Sequence, residues 1–170
     1  MTVQINASLK LIEASSASDF EHIRVLFNEY AKFLDDNDPD GIDLCFQDFD
    51  TELATLPGKY APPEGRLYLA LYDDEIAGCV GVRGIDSGIC EMKRLYVRPA
   101  FLGKKIGQAL IETIIQTGKD LGYQSMRLDT LPFMAKAISM YESYGFSPID
   151  PYYETPIQGT LFLELDLTQT

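Results

Sequence analysis

The residues able to do chemistry crowd into one stretch of this chain, from Glu91 to Leu110. A strand pattern runs to Val97, Pro99 interrupts it, and a helical pattern begins near Lys104 between Gly103 and Gly107. The first N–H groups of a helix have no partner inside it, so a turn of this kind is a ready anion site. Its glycines let a ligand come close to the backbone. Lys93, Arg94, Arg98, Lys104 and Lys105 set positive charge around the turn in a chain whose net charge is −12.

Other chemistries are excluded by what is missing. No Gly-x-x-x-x-Gly-Lys-Ser/Thr and no Gly-x-Gly-x-x-Gly after a strand occurs, which argues against a P-loop and a dinucleotide fold. His22 is the only histidine, so neither a nucleophilic triad nor a zinc site is supported. Cys45, Cys79 and Cys90 lack paired spacing and read as reduced structural thiols. The negative charge disfavours nucleic acid, whose phosphates it would repel. No apolar run is long enough for a membrane span, and Met1 to Lys10 lacks a signal-peptide core, so a cytoplasmic location is expected. Asp35, Asp36, Asp38, Asp40, Asp43, Asp48, Asp50 and Glu52 form a stretch without Lys or Arg. Such a run is either a solvated face or a surface that draws in a cation.

The elements that must hold the turn follow from periodicity, and a length of 170 residues suggests one domain over 1–170. Leu9 to Ile12 reads as a strand, and Ser18-Asp19 as a cap with Glu21 in the first helical turn. Ile23, Leu26, Phe27, Tyr30, Ala31 and Leu34 carry that helix to Asp35, and a shorter helix spans about Phe46 to Leu56. Alternation at Leu67, Leu69 and Leu71, and at Ile76, Gly78, Val80 and Val82, gives two strands joined at Asp73-Asp74. In the next strand Cys90 and Met92 are out of phase by one with Leu95 and Val97. One extra residue near Lys93 or Arg94, a β-bulge, restores both pairs to one face.

A helix from Lys104 to about Leu121 follows, ended by Gly122, then a strand at Met126 and Leu128 that runs to Thr130. A Tyr-bearing helix from Phe133 to Tyr144 and a last strand with Leu161, Leu163, Leu165 and Leu167 on one face complete the chain. The order is βααβββαβαβ, with room for a further strand near Ile149. The fold class is α/β, or α+β with a mixed sheet. That sheet is central and mostly antiparallel, with helices on both faces and a right-handed parallel crossover from Met92 to Leu128.

Two motifs in this order resemble the GNAT-family N-acetyltransferases. One is Leu95-Tyr96-Val97-Arg98-Pro99 leading to Gly103-Lys104-Lys105-Ile106-Gly107, and the other runs from Ala137 through Tyr141 to Tyr144-Gly145-Phe146. The family turn is Gln/Arg-x-x-Gly-x-Gly/Ala. Here those positions are Leu102, Lys105 and Gly107, and only the last matches. The Asn that often starts the second helix is Met134.

The resemblance implies acetyl-CoA as co-substrate, no metal, and a primary amine of a small molecule as acceptor, with a cationic one suggested by the acidic stretch. It implies attack within a ternary complex. Donor contacts would fall on Leu95, Tyr96, Val97, Leu102, Gly103, Lys104, Lys105, Ile106, Gly107, Gln108, Met134, Ala137 and Tyr144. Tyr141 takes the position of the general acid that protonates the CoA thiolate, and Glu91 reads as a general base acting directly or through water. Packing alone also accounts for Tyr141, and a salt bridge for Glu91. Protein N-acetylation and a non-catalytic CoA-binding module are the alternatives. Tyr152, Tyr153 and Pro156 suit an acceptor wall, a homodimer contact or simple packing.

Overall fold

The computed structural model describes residues 1–169, apart from the side chains of Cys45 and Phe46. The expected reduced thiol at Cys45 therefore lies outside the described residues, while Cys79 and Cys90 are free and buried. Strands β1 (Thr2–Gln4) and β2 (Leu9–Glu13) precede helices α1 (Ala17–Asn37) and α2 (Phe49–Ala54). Then come β3 (Arg66–Tyr72), β4 (Glu75–Asp86), β5 (Ile89–Val97), α3 (Ile106–Asp120), β6 (Ser125–Thr130), α4 (Ala135–Ser143), β7 (Ser147–Pro148) and β8 (Leu161–Asp166).

The expected order holds, with three differences. β1 is an added edge strand, too short and polar to show an alternation. The helix expected over Phe46 to Leu56 is a 3₁₀ turn at Leu44–Gln47 followed by α2, because Asp48 takes left-handed backbone at φ 59° and breaks the run. The first helix is capped by Ser16, not Ser18. The Ser16 hydroxyl accepts from the Asp19 N–H, and the Asp19 carboxylate accepts from the Ser15 and Ser16 N–H groups.

The sheet runs β1-β2-β3-β4-β5-β6-β8-β7 and is antiparallel except between β5 and β6. One core lies on each face. Ile106, Leu110, Ile111 and Ile114 of α3 pack with Tyr141 of α4 against Leu9, Leu11, Val80, Val82, Cys90 and Met92. Ile23, Leu26, Phe27 and Leu34 of α1 pack against Leu67, Leu69 and Cys79 on the other face. The expected alternation is real at Leu163 and at Leu167 just past the end of β8, but Leu161 is 40% exposed and Phe162 is buried in its place.

The bulge falls where the phase slip requires it. Cys79 pairs with Tyr96 and Gly81 with Lys93, so β5 spends one residue more than β4 between these pairs. Arg94 absorbs it with left-handed backbone, φ 59°, and its carbonyl accepts from the Cys79 thiol. As a result Cys90, Met92, Leu95 and Val97 all face the α3 core. Gly78 permits the close pairing beside the bulge, since a Cβ there would stand 2.5 Å from the Tyr96 carbonyl oxygen.

Candidate active site

β5 and β6 pair only at Ile89–Ser125, Cys90–Met126 and Glu91–Arg127, and then part. The facing edges of Met92–Val97 and Leu128–Thr130 are left without strand partners. A parallel pair needs a crossover, and α3 is that crossover. Its start therefore sits close to the end of β5. The cap residue Lys105 is left-handed, φ 60°, and supplies no side-chain cap. The Ala109 N–H returns to the Lys105 carbonyl, and the amides just before it are the unfilled first turn. Over Gly103, φ 81°, a Cβ would meet nothing within 4 Å, so the turn is open to a ligand.

The expected donor residues differ in what they can present to a ligand. Leu102 is 65% exposed, and Lys104 sits with its ammonium 4.9 Å from the Tyr72 ring centre. Ile106 is buried, so only its backbone can reach a ligand. A Cβ on Gly107 would meet Met140 Cε at 3.8 Å and Val97 Cγ2 at 3.9 Å, ordinary contacts across to α4 and β5. Gln108 donates to Glu112 Oε1 at 3.1 Å, and the Tyr144 hydroxyl donates to the same oxygen at 2.6 Å, so one carboxylate ties α3 to α4. Ala137 packs on the α3 core. Met134 caps α4 and accepts from the Thr130 hydroxyl at Sδ. Tyr96 points to the other face, its hydroxyl 3.4 Å from Glu29 and its ring against Tyr30 and Phe33.

The basic cluster does not stay together. Arg98 is paired with Glu29 at 2.8 Å, and Arg94 turns inward to Glu52 at 3.0 and 3.3 Å. Lys93 lies 3.6 Å from Asp129. Lys104 and Lys105 are the two left at the turn. Sequence alone groups charges by position, whereas the bulge turns Lys93 and Arg94 together to the face opposite the α3 core, and each of them, like Arg98 just past β5, finds its own partner there.

A cavity occupies the opening between β5 and β6. Its walls are Tyr30 and Leu34 of α1, Ile42, Leu44 and Gln47, then Met92 to Leu95, Leu128 to Leu131, Met134, Tyr141, Ile157 and Thr160. The space that admits the centre of a water-sized sphere is about 40 Å³. Tyr141 is 5% exposed, its ring edge-on to Phe146. Burial, then the nearby Tyr30 and Asp129, push its hydroxyl far above the ordinary tyrosine value. A phenol in this state holds its proton, as a donor must.

Glu91 is not on the cavity wall. It is 1% exposed, and both oxygens are engaged, one by Arg83 at 2.9 Å and the other by the Tyr152 hydroxyl at 2.5 Å. The carboxylate that does line the cavity is Asp129, which went unremarked in the sequence. Burial opposes its charge, but Lys93, the Tyr153 hydroxyl and Arg94 outweigh that and hold its pKa below the usual carboxylate value. Asp129 sits where β6 has left β5, a divergence that the residue pattern of β6 does not show. The Tyr152–Tyr153 loop is fastened over this face by those two hydroxyls and by edge contacts to Phe162 at 5.2 and 5.1 Å. The acidic stretch contributes only Ile42, Leu44 and Gln47 to the wall, all uncharged. Glu52 belongs to the interior as the counter-ion of Arg94.

Among the described residues no group of His, Cys, Asp and Glu suited to a metal ion occurs, and no helix is long and apolar enough to cross a membrane.

Comparison with known proteins gives a consistent result. The family model for the acetyltransferase (GNAT) family matches residues 23–146. An uncharacterised N-acetyltransferase of Schizosaccharomyces pombe is 40% identical over 153 residues, covering 89% of this chain and 90% of its own length. One of Dictyostelium discoideum is 33% identical over 94% of this chain and 99% of its own. Among solved structures, a GNAT-family acetyltransferase of Staphylococcus aureus superposes with a TM-score of 0.75 at 22% identity, covering 94% of this chain and 99% of that one. PaiA N-acetyltransferase of Thermoplasma acidophilum, in complex with coenzyme A, gives 0.72 at 19% identity, over 94% of this chain and 99% of that one. The two structures share the fold.

Proposed function

The chain belongs to the GNAT acetyltransferase family, and we propose that it transfers the acetyl group of acetyl-CoA to the primary amine of a small molecule by direct attack in a ternary complex. The observation that carries this reading is one shared cavity. Tyr141 and Asp129, a proton donor and a carboxylate, both face the opening between β5 and β6. The narrowness of that cavity favours a small acceptor over a protein chain.

The residues present suit acetyl-CoA. The unfilled amides of the α3 start, the open surface over Gly103 and the charges of Lys104 and Lys105 fit a pyrophosphate. Lys105 stands where the family carries Gly. It already holds the left-handed backbone that Gly would supply, so the turn is formed regardless.

Asp129 receives the acceptor ammonium, which must lose a proton to solvent before its nitrogen can attack. The new C–N bond forms at the thioester carbonyl carbon, and the unpaired N–H edge of β5 toward Val97 offers donors to the carbonyl oxygen as it becomes an oxyanion. As the C–S bond breaks, Tyr141 gives its proton to the departing sulfur. The extra proton on the new amide nitrogen leaves by way of Asp129 and water, and Tyr141 is reprotonated from solvent. Amide and free thiol are the products.

Amine-dependent release of free thiol from acetyl-CoA, with the acetylated amine identified by mass, tests the reading. A panel of small amines, polyamines, amino acids, aminoglycosides and peptides that yields no amine-dependent thiol would refute it.

A further inference from the structure

Lys93 and Asp129 are the charged pair of the cavity wall, yet they do not complete each other. The Lys93 ammonium is 6% exposed and lies 3.6 Å from Asp129 Oδ1, beyond hydrogen-bond distance. It donates to Gln47 Oε1 at 3.2 Å, and an ammonium has three protons to give. Asp129 Oδ2 is taken by the Tyr153 hydroxyl, which leaves Oδ1 turned toward Lys93. Arg94 adds no uncompensated charge, because Glu52 neutralises it behind the wall. The cavity therefore offers one positive and one negative group, close together, within walls that include Leu34, Ile42, Leu44 and Ile157.

Resting on the reading above, we propose that the acceptor is a zwitterion, a small α-amino acid with an apolar side chain. Its amino group engages Asp129 and its carboxylate engages Lys93. A polyamine would bring a second ammonium with no carboxylate to meet it, and a simple amine bound at Asp129 would compete with Lys93 for that one carboxylate and bring no acceptor for the remaining Lys93 protons. The nearness of the two groups requires opposite charges that are themselves near each other, as on the α-carbon of an amino acid. The aliphatic wall then takes the side chain.

The test compares each amino acid with its amide and with its decarboxylated amine, using the leucine, methionine and phenylalanine series with acetyl-CoA. The acid of at least one series should exceed both partners in kcat/KM by about tenfold or more, since hydrogen bonds to charged groups are worth that much. Lys93→Met should abolish most of this preference, while Lys93→Arg should keep part of it. The wild-type comparison stands even if a variant fails to fold. Turnover of amides and amines at rates equal to or above the acids, or a polyamine as the best acceptor, overturns the zwitterion while leaving amine acetylation intact. No turnover of any amine, acid or amide overturns both.

Discussion

Arg94 of β5 and Glu52 of α2 form a two-point ion pair in which neither side chain is more than 3% exposed, and Arg94 makes it from the left-handed residue of the bulge. Lys59 reaches the same carboxylate at 2.6 Å and the Tyr60 hydroxyl donates to it at 3.1 Å. The bulge is thus fixed from behind by a helix far away in sequence.

Glu52→Gln would leave a buried guanidinium without its counter-charge. Unfolding in urea should show a loss of about 3–5 kcal/mol. Burial alone would raise the Glu52 pKa, but Arg94 and Lys59 bring it down from 4.5 to about 2. A depressed carboxylate stabilises the fold fully above its unfolded pKa and loses that contribution as pH falls toward the folded value. Wild-type stability should therefore decline between pH 4.5 and about 2, and the variant should lack this part of the decline. An unchanged acid profile in the variant would remove Glu52 from the account.

Tyr141→Phe deletes one hydroxyl and keeps the ring contact with Phe146. Turnover should drop by about 10²–10⁴-fold with acetyl-CoA binding little changed. Comparable rates for the two proteins in steady-state assays would mean that Tyr141 only packs.

The pH–rate profile should rise with the free-base fraction of the acceptor and then level off. Tyr141 is pushed upward, by burial first and then by Tyr30 and Asp129, so it remains protonated below pH 10. Asp129 is pulled downward against its burial, chiefly by Lys93, so it remains ionised above its ordinary value of 3.8. Neither group should add a limb across the neutral range. A descending limb between pH 7 and about 10 would contradict Tyr141 as the proton donor.

Gly107→Val adds methyl groups beyond a Cβ that already meets Met140 and Val97 at contact distance. The start of α3 would be crowded on the side facing β5 and α4. Calorimetry should show acetyl-CoA binding weaker by about tenfold or more, the cost of one strained contact of 1–3 kcal/mol, while the far-ultraviolet spectrum stays native. Binding at wild-type strength would shift the donor site away from this turn.

The fold was legible where the chain repeats itself. The out-of-phase pairs Cys90/Met92 and Leu95/Val97 required a bulge, and Gly122 marked the end of α3, whose last helical residue is Asp120. What stayed hidden depends on residues far apart in sequence. The destination of Arg94 is Glu52, the cover over Glu91 is Tyr152, and Asp129 matters because β6 diverges from β5. None of these leaves a local periodic trace. The Ser16 cap was missed because Ser15, Ser16 and Ser18 are chemically alike, and only backbone geometry selects one of them.

The parting of β5 from β6 also bears on how long the protein lasts. Amide protons at the open start of α3 should exchange quickly with solvent in the free protein, while those on the unpaired edge of β5 lie against the cavity and should exchange more slowly. A donor lying across both would slow that exchange and raise the melting temperature as its concentration climbs above its dissociation constant.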